Sequence, residues 1–85
     1  MTETTIYLDY ETLSGMHKYD LPKPLADKVL DWTWRAFELC DKVECVLGEG
    51  DLSILQYFIS RDSSIKDRDR LYKYLQDAGK SRFGW

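Results

Sequence analysis

At 85 residues, 44% hydrophobic and 14% aromatic, with a net charge of −3, the chain suits one small core and is too short to divide it between two domains. No run approaches the roughly 18 apolar residues of a membrane span, and MTETTIYLDYE has neither part of a secretory leader, so a single domain over residues 1–85, cytoplasmic and away from membranes, is expected. Two cysteines, Cys40 and Cys45, and one histidine, His17, are too few for a disulfide framework or a Cys/His zinc site, and no metal or cofactor is expected.

Residues 4–10 alternate and are rich in β-branched and aromatic side chains, which predicts a strand. Residues 11–21 contain Gly15 and no sustained period, which predicts a loop. Asp20, Pro22 and Pro24 mark the entry to a helix. From Leu25 the period becomes 3.6. Leu25, Val29, Trp32, Ala36, Leu39, Cys40 and Val43 fall on one face, widened by Leu30 and Phe37, and Cys40 is therefore expected to be buried and inert. Asp27, Lys28, Asp31, Arg35, Glu38 and Lys42 gather opposite, with Trp34 near the edge of that charged face.

Residues 43–47 and 52–59 are predicted to form two strands joined by the turn Gly48-Glu49-Gly50-Asp51, because Val43, Val46, Ile54, Tyr57, Phe58 and Ile59 favour strands. The alternative continues the helix to Gly48 and starts a short second one at Asp51. Asp62, Ser63 and Ser64 offer caps for a last helix, whose Ile65, Leu71, Tyr72, Leu75 and Ala78 share a face and which Gly79 stops. Residues 80–85, KSRFGW, then form a short basic-aromatic tail. The expected fold is α+β, in the order β-α-β-β-α with a short antiparallel sheet. The alternative is a mainly helical bundle behind one N-terminal strand.

Charge is polarised along the chain. Residues 1–51 carry eleven acids and five bases, a balance of −6, and residues 52–85 carry four acids and seven bases, a balance of +3. Such an asymmetry steers a charged partner to one side, unless the two halves neutralise each other across the fold.

Asp9 and Glu11 are the first chemical candidates. Two apart on a strand, they would share a face, as carboxylates holding two divalent ions about 3.5–4 Å apart must. Residues 6–12, IYLDYET, resemble the first motif of the DEDD-type 3′–5′ exonucleases, which implies metal-dependent phosphodiester cleavage by this pair. That family also needs two further aspartates, the last preceded by a Tyr four positions earlier or a His five positions earlier. No Asp here has Tyr four residues before it, and five residues beyond His17 stands Pro22. No catalytic residue is therefore expected, and the two acids read as a solvated strand end.

Binding is the stronger expectation. Trp34 on a charged face, with Phe83 and Trp85 on the tail, are large aromatics of the kind that anchor interfaces. With Asp27, Asp31, Glu38 and Asp41 they make up the expected partner-binding set. The expected function is a small non-enzymatic inhibitor, neutraliser or adaptor, of the sort encoded by phages and mobile elements, that meets a basic protein surface. A basic C-terminal helix and tail (Arg61, Lys66, Arg68, Arg70, Lys73, Lys80, Arg82) make nucleic acid the alternative partner, and self-association is a further one. Gly79, Lys80 and Phe83, with Asp51-Leu52, are similar to the corresponding positions of colicin-type nuclease immunity proteins, which implies a helical nuclease inhibitor. That family's paired tyrosines are replaced here by Ile54-Leu55, and its four helices would require residues 4–10 not to form a strand.

Overall fold

The computed structural model describes residues 2–85. In ETTIYL the alternation produces strand β1 (Glu3–Leu8), with Thr4, Ile6 and Leu8 buried and Glu3, Thr5 and Tyr7 exposed. In VECVLG it produces β2 (Val43–Gly48), with Val43, Cys45 and Leu47 buried. The two pair as a two-stranded antiparallel sheet. Four α-helices complete the described residues: α1 (Tyr10–Gly15), which runs into a 3-10 turn at Met16–Lys18, α2 (Lys23–Leu39), α3 (Glu49–Arg61) and α4 (Arg68–Phe83). The class is α+β with a short antiparallel sheet, as expected. The order of elements differs from β-α-β-β-α.

Contacts divide the chain into two units, the continuous stretch Tyr7–Cys45 and a second one joining the chain up to Ile6 with Val46–Trp85. In Tyr7–Cys45 the first strand ends earlier than expected, at Leu8 rather than Tyr10. Asp9 turns the chain: its side chain accepts the Thr12 N–H at 2.9 Å and so caps α1 inside the segment predicted to be a loop. Six residues show little helical period, but Leu13 is fully buried and α1 packs on α2. In α2 the buried positions are Leu25, Val29, Trp32, Thr33 and Ala36, a narrower face than the sequence suggested. Leu30, Phe37, Leu39 and Cys40 are exposed.

The helix ends at Leu39 because Cys40 adopts the left-handed conformation, φ 54° and ψ 35°. This corrects the expectation that Cys40 is buried. Cys40 has left the helical face and is exposed, whereas Cys45 is buried and its pKa is pushed up to about 12 by desolvation. One thiol should react with a soluble disulfide reagent at pH 8 in the native protein and two after denaturation; two fast thiols in the native state would contradict this placement. Left-handed backbone also favours glycine, so Cys40→Gly should raise the unfolding free energy by about 0.5–1 kcal/mol in urea titration.

In the other unit, residues 52–59 are not a strand but the body of α3. Leu52, Leu55 and Ile59 recur at helical spacing and are buried, and this periodicity outweighs the β-preference of Ile54, Tyr57 and Phe58. Gly48 enters the helix from extended backbone, and Glu49 and Asp51 in the first turn complement its dipole. Asp62 does not cap the last helix: its side chain accepts both the N–H and the hydroxyl of Ser64 and makes a local turn, so α4 begins only at Arg68. Nor does Gly79 stop it. The helix continues to Phe83 and ends at Gly84, at φ 75°, so residues 80–83 of the predicted tail are its last turn. Helices α3 and α4 pack together, with Gln56 Nε2 donating to Gln76 Oε1.

Candidate functional site

The outer face of α2 carries the feature with the clearest functional content. Leu30, Trp34 and Phe37, at i, i+4 and i+7, form a stripe that is 49%, 59% and 56% exposed. Their ridge is separate from the buried one of Leu25, Val29, Trp32 and Ala36. Trp34 meets Phe37 edge-on with centroids 6.2 Å apart, and the Tyr10 ring lies tilted against Phe37 at 5.6 Å. Two aromatic rings and a leucine therefore lie in sequence on a 17-residue helix whose back is held in the core, and Tyr10, at the start of α1, adds a third ring beside them.

Asp9 sets the position of Tyr10, because its cap begins α1 at that residue. The Thr12 N–H, then the Thr12 side chain and the charge of Lys42, hold the Asp9 carboxyl below its usual range. A depressed folded-state pKa contributes stability above the ordinary Asp value of about 3.9 and loses it as pH falls through that value and below. Asp9→Ala should thus cost about 1 kcal/mol at pH 7, with the gap from the parent closing towards pH 3 in urea titrations. A gap that stays constant with pH would show that the ionised carboxylate is not the cap.

The sequence-selected acids lie around the stripe but are less free than composition suggested. Asp27 stands 3.7 Å from Lys23, and Asp31 is 3.1 Å from Arg35 Nε, both as i,i+4 pairs. Glu38 is exposed, and Asp41, beyond the helix end, accepts the Lys42 N–H at 2.7 Å. With Asp27, Asp31 and Glu38 set against Lys23, Lys28 and Arg35, α2 is formally neutral. Trp34, Asp27, Asp31 and Glu38 thus share one helix. Phe83 and Trp85 belong to the other unit, where they serve α4. The Trp85 ring covers Gly79 and packs at 6.0 Å from Phe83, its indole N–H donates to Glu49 Oε2 at 2.9 Å, and its backbone N–H donates to the Gly79 carbonyl.

Sequence reasoning missed Leu30, Phe37 and Tyr10 as surface residues, having assigned the first two to the core. The signal was present: Leu30 and Phe37 have the same spacing about Trp34 that core residues have about one another. The carboxylate pair also separates. Asp9 follows the end of β1 and Glu11 lies in the first turn of α1, so they do not project from one strand. Among the described residues no three His, Cys, Asp or Glu side chains are grouped to hold a metal ion, and no helix is long and apolar enough to cross a membrane. β1 occupies most of the segment that a four-helix immunity protein would need as helix. Two of the C-terminal bases are engaged within the fold: Arg61 lies 4.8 Å over the Tyr57 ring, and Arg82 Nε donates to the Glu3 carbonyl. No protein-family model, curated protein or solved structure matches the chain.

Proposed function

We propose that the chain is a small non-enzymatic protein-binding module, an inhibitor or adaptor that docks through the Leu30–Trp34–Phe37 stripe and Tyr10. The observation that supports it is the stripe itself: Leu30, Trp34 and Phe37 on α2, with Tyr10 of α1 against Phe37, are about half exposed, a costly surface to leave in water that suits an interface core. Two free thiols, one of them exposed, favour action in a reducing compartment such as the cytoplasm. The neutral balance of α2 moves the weight from charge steering to apolar contact, so the on-rate should fall only modestly as salt rises. Nucleic-acid binding has less support, since two of its proposed bases are engaged within the fold.

The test is affinity capture from the cell of origin with the parent chain and with a Trp34→Asp/Phe37→Asp variant, both checked for equal thermal stability. A protein bound stoichiometrically by the parent and lost by the variant supports the reading. Capture that survives both substitutions, or no captured protein, counts against it. Sedimentation of the parent alone covers self-association: a dimer abolished by Trp34→Asp would make a second copy the partner.

A further inference from the structure

The stripe continues into a cavity. The 3-10 turn at Met16–Lys18, the segment that follows and α2 together line a space of about 230 Å³. Met16, Ala26, Val29 and Leu30 supply its apolar lining, and Leu30 belongs to the stripe as well. His17, Tyr19 and Asp27 supply polar groups, of which His17 and Asp27 bear on what it can hold. Their hydrogen-bonding character follows from the neighbouring contacts. The Thr33 hydroxyl donates its single proton to the Val29 carbonyl at 2.7 Å, so in its 2.9 Å contact with His17 Nε2 it can only accept. His17 therefore carries a proton on Nε2, and in the neutral ring Nδ1 is an acceptor. Asp27 is an acceptor too. Its pair with Lys23 is an exposed i,i+4 contact at 3.7 Å, screened by solvent and easily exchanged.

We infer that this cavity receives an arginine side chain of the protein partner whose docking on the stripe is proposed above. The aliphatic stem lies on Met16, Ala26, Val29 and Leu30. The guanidinium, a donor-only group, meets Asp27 and His17, and its planar fork has hydrogens for both where an ammonium is a single point charge. A partner segment would thus set apolar side chains against Leu30, Trp34 and Phe37 and place arginine next to them.

The inference can be tested without the partner. N-acetyl-arginine methylamide is titrated into the ¹⁵N-labelled protein, with the citrulline and norleucine analogues as a neutral isostere and an apolar stem. The expected result is amide shifts concentrated in residues 16–30, affinity about tenfold higher for arginine than for citrulline, and loss of that preference in Asp27→Asn. Equal binding of norleucine and arginine, dispersed shifts, or an unchanged preference in Asp27→Asn would each overturn it. The Trp34→Asp/Phe37→Asp variant should keep arginine binding while losing the captured protein. Failure of the cavity and failure of the stripe are thereby read separately.

Discussion

Leu13→Ala should lower the unfolding free energy by about 3 kcal/mol, an effect out of proportion to the six-residue helix that contains it. Leu13 is the one buried side chain of α1, and a helix this short has no stability of its own in water. Its truncation leaves a hole against α2 and removes the contact that holds α1 in place. Tyr10 would lose its fixed position beside Phe37 as a consequence. Ser14→Ala on the exposed side of the same helix should change stability by no more than about 0.5 kcal/mol. Urea unfolding followed by circular dichroism separates the two. A Leu13→Ala cost below about 1 kcal/mol would mean that residues 10–15 are held as loosely as the loop the sequence suggested.

Gly79→Ala should destabilise by about 2 kcal/mol, although alanine is the better helix former by about 1 kcal/mol. A Cβ at this position would overlap the ring carbons of Trp85, so the indole must leave. Its packing over α4 and its bond to Glu49 leave with it. In a Trp85→Ala background the obstruction is gone, and the same substitution should stabilise by about 1 kcal/mol. The change of sign between backgrounds is the diagnostic, and the indole N–H resonance in NMR checks whether Trp85 has moved. Destabilisation in both backgrounds would show that some other contact excludes the methyl group.

These two positions also mark what the sequence could and could not convey. Alternation identified β1, and the 3.6 period identified α2, because both elements bury a regular face. Leu13 gave no such signal, since one buried residue in six makes no period and the helix depends on the Asp9 cap and on α2. The 52–59 segment was legible in Leu52, Leu55 and Ile59 but was read through the strand preference of Ile54, Tyr57 and Phe58, a preference that reflects packing more than backbone. Gly79 looked like a stop because glycine ends many helices. Its role is set by Trp85, six residues on, and only tertiary packing shows that. At the surface, Trp34 was recognised singly, while Leu30 and Phe37 were assigned to the core because apolar residues at helical spacing usually belong there. Two apolar ridges on one helix look like one wide ridge until burial separates them.

Trp32 and Trp34, two residues apart on α2, face opposite surroundings: the first is 7% exposed and the second more than half. The helix therefore carries two optical reporters with separate duties. Emission from Trp32, shielded from aqueous quenchers, follows unfolding, while the acrylamide-accessible emission of Trp34 follows whatever covers the stripe. With Trp85 replaced by phenylalanine to silence the third indole, occupation of the surface becomes visible without a label and before the occupant is known.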